Sequence, residues 1–419
     1  MSYYTYNVEN HNLFISVKET AFRTSANGKD TTNLAADTFY RLGLVLTRIP
    51  RIYLRRNRSV KEVAGSADWG HLAREGFNVG TLQLSGEIKD LGQMLYFCGT
   101  TVSDGNYETD TIASGQGGAA ITMTANSTIT LNALAGLKGQ VAGTGTEYTI
   151  ASNTATNGSQ IVVITLTAPS PADCNGKTFV ISVHNHIFTT TTARPAVIPS
   201  FQLLQKFVNE TTAESIWSLL TGCIITQFDA SSTKNNPWIV NLSIEFANII
   251  AGTALTTEPD YLPLNTFHID NTALTLTHAT TAYNVIFQGF GISIVTGFYL
   301  HKAAGEDRAG RALKRKRDFR LKLDILSMEK IALTDFEDTA PATASDLDIS
   351  LVHTRTALTD LATFAFEKLW SITNEYDFGE QDYHLQGSHE FVIKPTTFES
   401  GAKLTLTEVN SLSSARYEN

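Results

Sequence analysis

The chain has 419 residues, 42% hydrophobic and 17% charged, which is enough apolar material for a sizeable core. Its 32 basic and 41 acidic residues give a net charge of −9, the opposite of what a protein gripping duplex DNA through its phosphates carries. Cys98, Cys174 and Cys223 are odd in number with no C-x-x-C spacing, so neither a disulfide framework nor a zinc site is indicated and they read as small buried apolar residues.

The length predicts two or three modules. The opening stretch "MSYYTYNVENHNLF" has no basic segment leading into an apolar one, and no apolar run is long enough for a membrane span. Synthesis and assembly in the cytoplasm are therefore expected. Residues 1–102 read as β with one or two helices. In "TLQLSGEIKDLGQMLYFCGTT", Leu82 and Leu84 alternate as in a strand. A turn at Gly86 should then lead into a short amphipathic helix carrying Ile88, Leu91 and Leu95, stopped by the following "GTT".

Residues 103–185 change character: charge is sparse, and Gly, Ala, Ser and Thr dominate. "ITMTANSTITL", "TEYTIAS" and "IVVITLT" are short alternating strands between turn clusters, which predicts a small inserted β domain, a sandwich of the immunoglobulin kind.

Residues 186–350 return to the first composition. "IPSFQLLQKFVNE" reads as a strand, "AESIWSLLTGC" as a helix or tight excursion, and "IITQFDA" and "WIVNLSIEF" as paired strands. In the last, Trp238, Val240, Leu242, Ile244 and Phe246 alternate with Ile239, Asn241, Ser243 and Glu245, one row for a core and one for water or a partner. Farther on, Ile286, Phe290, Ile292 and Ile294 should share a face, as should Phe319, Leu321, Leu323 and Ile325. Evenly spaced strands of this kind indicate a sandwich or barrel. In residues 351–419 the stretch "TALTDLATFAFEKLW" predicts a helix with Leu358, Leu361, Phe364 and Leu369 near one stripe. Strands "FVIKPTTF" and "AKLTLTEV" follow, and "SLSSARYEN" reads as a tail that could reach a neighbouring subunit.

The landmarks "LGQMLYFCGTT", "HNHIFTTTTARPAVIPSFQL", "LLTGCIITQFDASSTKNNPWIVNLSIEFANIIAGTAL" and "FQGFGISIVTGF" resemble, in order and spacing, tail tube proteins of tailed bacteriophages, in the longer class with two fused tube modules. The resemblance implies a mainly β chain of antiparallel sandwich or half-barrel modules with a few flanking helices. Residues 1–102 and 186–350 would be the two parts of the tube module, 103–185 an insertion and 351–419 a C-terminal helix and strands. It also implies a structural, non-enzymatic virion subunit without cofactors. Trimeric or hexameric rings would stack into a tube for DNA ejection, with tape-measure, terminator and baseplate proteins as partners, transient passage of DNA and no membrane insertion. Another tail component, such as a terminator, a baseplate ring or a fibre-like adhesin, is the alternative.

On that reading, Glu87, Asp90, Asn241, Ser243 and Glu245 occupy the polar faces of the motif segments and are candidates for lining the channel. Two basic runs stand out, "RIPRIYLRRNR" with Arg55 and Arg56, and the run Arg311, Lys314, Arg315, Lys316 and Arg317. A dense basic belt would hold DNA that must travel, so both are assigned to contacts between rings or subunits. His184 and His186 share a strand face, a spacing that can hold zinc, but no third ligand is evident and a polar strand is the better account. The clustered glycines form no phosphate-binding pattern, and no nucleophile elbow or H-E-x-x-H is present.

Overall fold

The computed structural model describes residues 11–17, 19, 39–48, 50–62, 71–105, 110–124, 131, 132, 134, 135, 138–142, 144, 146–181, 184–190, 198–208, 214–252, 254–262, 264–278, 281–301, 311–315, 317–327, 347–356, 360–377, 386–393 and 404–410. The tail "SLSSARYEN" lies outside them. The chain is mainly β and antiparallel, as the alternation predicts. It begins with β1 (His11–Ser16), β2 (Phe39–Arg41), β3 (Leu44–Leu46), β4 (Arg51–Glu62), β5 (His71–Ile88), helix α1 (Leu91–Phe97) and β6 (Thr101–Gly105). The inserted segment holds β7 (Asp110–Ser114), β8 (Ala120–Thr124), β9 (Lys138–Val141), β10 (Glu147–Asn153), β11 (Ile161–Leu166) and β12 (Thr178–Ile181). There follow β13 (His184–Thr189), β14 (Phe201–Val208), β15 (Ser215–Thr233), β16 (Ile239–Phe246), β17 (Asn248–Ala251), β18 (Thr272–His278), β19 (Thr281–Asn284) and β20 (Ile286–Val295). The last are β21 (Phe298–His301), β22 (Arg311–Lys314), β23 (Asp318–Ser327), β24 (Leu347–Thr356), β25 (Asp360–Asp377), β26 (Gln386–Ile393) and β27 (Leu404–Asn410).

One sheet runs β4-β5-β16-β15-β20-β23-β26-β25, every pair antiparallel. A second runs β19-β18-β24-β25-β27-β13-β6. The long strand β25 belongs to both: residues 361–369 pair in the second and 369–377 in the first. The inward row Leu84, Leu242, Phe228, Ile294 and Phe319 of the first sheet and the row Leu276, Ile349, Phe366 and Leu404 of the second are buried in one hydrophobic core. Each such side chain contributes roughly 1.5–3 kcal/mol by leaving water. The first half of β15 adds a third group, β2-β1-β14-β15-β17, over Phe14, Phe39, Leu204 and Leu219.

Three local expectations are corrected. "TALTDLATFAFEKLW" contributes to strand β25, not to a helix: Ala362, Phe364 and Phe366 are buried at a period of two, between β24 and β27. Pairing on both edges and stacked Phe364 and Phe366 rings outweigh the helix propensity of its Ala, Leu, Glu and Lys residues. "AESIWSLLTGC" likewise runs straight into "IITQFDA" as the single 19-residue strand β15. Ile286 is 60% exposed and leaves the row of Phe290, Ile292 and Ile294, because two register shifts separate it from them.

Helix α1 starts at Leu91, with Asp90 as its N-cap accepting from the Gln93 amide at 2.9 Å, and the positive φ of 86° at Gly99 follows its end. All seven of its residues are buried, so it is a core element and not an amphipathic one. Gly92 lies against the Phe188 ring, where a Cβ would collide, and its amide donates to Glu408 Oε2 at 2.7 Å. The inserted segment folds as a closed barrel, order β10-β11-β8-β7-β12-β9, where a sandwich was expected. Strand β9 closes it by pairing both β10 and β12, and Ile121, Met123, Val162, Ile164 and Phe179 fill a core of its own.

Candidate functional site

The outward residues of the first sheet form continuous rows. One runs Ser85, Asn241, Asp229, Ser293, Arg320, Val392, and the next Glu87, Ile239, Ser231, Gly291, Lys322, Glu390. Six strands from different parts of the chain thus build one largely polar face over the apolar core, interrupted by Ile239, Val295 and Val392. Its charges are tied down. Asp229 accepts from Ser293 Oγ at 2.6 Å and from Gln227 Nε2 at 2.8 Å. Arg320 donates to Asp318 at 2.9 Å and to Glu390 at 3.0 Å, bonds that raise its pKa, and Lys322 lies 3.6 Å from Asp324. On strands β5 to β26 of this face, Glu87, Asp229, Glu245, Asp318, Asp324 and Glu390 stand with Arg320 and Lys322, and Arg51 of β4 continues the row of Gln83 and Ser243. The exposed Arg48 borders a depression of about 320 Å³ beside Gln83, Ser85, Asp229 and Asn241. This arrangement offers a wet, mildly acidic surface in which Arg320 and Lys322 are already paired.

Of the residues expected on this face, Glu87, Asn241 and Ser243 stand in its rows and are exposed or half-buried. Asp90 does not: it is fully buried as the cap of α1, because a chain leaving a strand for a buried helix turns its capping carboxylate inward. Glu245 shares the face but is covered by the hairpin β21-β22, whose Leu300 amide donates to its Oε2 at 2.8 Å. Burial raises its pKa, opposed by that hydrogen bond and by Arg315. Sequence reading missed Asp229, Ser293, Arg320, Lys322 and Glu390. For β15 and β23 the signal was present as the outward complement of the inward rows.

The basic run divides. Arg311 is exposed on β22, Lys314 is half-buried, and Arg315 is exposed with its guanidinium 4.1 Å over the Tyr299 ring. Lys316 lies outside the described residues. Arg317, expected to project, is buried: it lies 5.3 Å over Phe298 and donates to the Gly99 carbonyl at 3.4 Å, since an arginine can bury its stem where a ring and a helix-end carbonyl receive its head. Arg55 and Arg56 lie on β4, Arg56 opposite Phe77 with a register shift before it, and their side chains are outside the described set.

His186 is fully buried on β13, opposite Glu408 of β27, and no group of three His, Cys, Asp or Glu among the described residues is placed to hold a metal. All three cysteines are buried. Burial pushes the Cys98 thiol up to about 12, with Arg317 pulling the other way. No described helix is long and apolar enough to cross a membrane. Neither a family model nor a curated protein matches the chain.

Proposed function

We propose that the chain is the structural subunit of a virion tail tube, in which copies join edge to edge into rings, rings stack, and the polar sheet face lines a channel for DNA. The observation that carries this is an eight-stranded sheet with a largely polar face and, among the described pairings, no partner on the outer edge of β3, of β4 or of residues 370–377 of β25. Unpaired edges of that length template pairing with another chain. β3 pairs antiparallel with β5, as β4 does, and the registers bring it level with residues 370–377 of β25, so β3 of one copy meets β25 of the next antiparallel and the order continues around a ring. Such head-to-tail contacts close into rings when the rotation allows. The face suits transit: Arg320 and Lys322 are held by carboxylates, and acidic residues outnumber basic ones along the strands, so a passing phosphate backbone meets no deep well there.

The small barrel hangs from β6 and β13, which pair with each other in the second sheet, away from the polar face. It is a decoration on the outside of the tube. Tape-measure, terminator and baseplate proteins are the partners at the tube ends, and the finished protein resides in the virion. Sedimentation of purified protein over a concentration series tests the reading: species at multiples of three or six copies are expected, without a mobility shift of linear duplex DNA. A strict monomer at every concentration would refute it.

A further inference from the structure

Two exposed apolar features lie on opposite edges of the eight-stranded sheet. On one edge, β3 pairs with the end of β5 so that Val45, 42% exposed, stands opposite Glu87. Beside it opens a depression of about 220 Å³ lined by Leu44, Val45, Leu46, Tyr261, Leu262 and Arg41, among others. Its wall is fixed. The Tyr261 ring, 75% exposed, stacks 3.7 Å from the Arg41 guanidinium, which is held by Asn12 Oδ1 at 2.8 Å and the Pro259 carbonyl at 2.9 Å. On the other edge, Ile372 of β25 is 47% exposed and sits where the register with β26 shifts between Ser371 and Thr373, so it has no opposite residue in β26.

The registers put these features level. Reading across the sheet from Val45, the row passes Glu87, Ile239, Ser231, Gly291, Lys322 and Glu390 and ends at Thr373, the neighbour of Ile372. Edge-to-edge joining of two copies along that row brings Ile372 of one to the depression of the other. We propose that Ile372 of each copy seats in the Val45–Tyr261 depression of the next, as the apolar contact that sets the register of the ring. The proposal rests on the ring reading given above. An apolar anchor filling a pocket amid polar surroundings is the usual form of an energetically dominant contact.

Two single variants, Val45→Cys and Ile372→Cys, mixed in equal amounts and treated with a short bismaleimide, test it. The native thiols are buried and contribute little background. A covalent dimer should appear in the mixture but not in either variant alone, and the double variant should give a ladder ending at the number of copies per ring. In parallel, Ile372→Asp should raise the concentration for half-assembly about tenfold or more, because it places a charge in an apolar socket. Ile372→Leu should leave that concentration within about threefold. Both positions are half exposed, and unchanged circular dichroism would confirm an intact fold. Normal assembly without the mixed crosslink, or with Ile372→Asp behaving like Ile372→Leu, overturns the contact and spares the ring. A wild-type chain that never assembles overturns the ring and the contact with it.

Discussion

Single buried groups set conditions under which the subunit holds its shape. His11 is buried, stacked on Phe207 at 4.1 Å, and neither ring nitrogen has a hydrogen-bond partner among the described residues. Burial lowers its pKa from 6.5 to about 4, and burial likewise lowers that of His389 to about 4, against a weaker pull from Asp324. The neutral forms are favoured in the fold, so the unfolded chain takes up protons first as pH falls. Stability is therefore whole above the unfolded value of 6.5 and declines between 6.5 and about 4. For His11 the loss is of order 3 kcal/mol at the acid end. Urea unfolding of His11→Phe, which keeps the stack and removes the proton site, should show a flatter acid limb than wild type. Identical limbs would contradict this. The thiols make a second prediction. With Cys98 at about 12 and Cys223 also raised by burial, neither should react with a thiol reagent at pH 8 until denaturant is added. Prompt labelling of the native chain would count against the core as described.

At the scale of elements, α1 and β25 carry the clearest consequences. Removing the buried cap with Asp90→Ala should cost about 1–2 kcal/mol in chemical denaturation, more than expected of an open channel-lining carboxylate. Phe364→Ala should cost about 3–5 kcal/mol, since it empties a fully buried ring site in β25. The strand "WIVNLSIEF" was legible because its inward row is wholly apolar and its outward row is polar apart from Ile239. β25 was not: Leu358, Leu361, Phe364 and Leu369 mimic a helical stripe, and only its pairing with β24 and β27 selects the period of Ala362, Phe364 and Phe366. Asp90 was misplaced for a related reason. A turn was expected at Gly86 with an amphipathic helix after it, whereas β5 runs on to Ile88 and Asp90 caps a helix buried on every side. The polar face was only half legible, because it is a row across six strands and register is not written in any one of them.

For the whole molecule, the barrel and the basic run bear on assembly. The barrel is closed and has a separate core, so replacing residues 105–183 with a short Gly/Ser linker should leave oligomers intact. Loss of assembly by a soluble deletion variant would place the barrel within the ring. Lys314→Glu with Arg315→Glu should weaken stacking of rings and mimic the effect of moderate salt on wild type, because exposed pairs are worth only about 0–1 kcal/mol each and are screened. Arg317 is excluded from that test, since its burial makes reversal a folding defect. A salt-sensitive gel shift abolished by the double reversal, with tube length unchanged, would reassign the run to DNA.

The central claim is that the β5-β16-β15-β20-β23-β26 face lines a channel. A cryo-EM map of assembled wild-type protein tests it most directly. Stacked rings are expected, with Asn241, Asp229, Ser293 and Arg320 turned toward the central hole and the small barrel on the outer wall. A map that turns this face outward, or buries it between copies with no open channel, would contradict it.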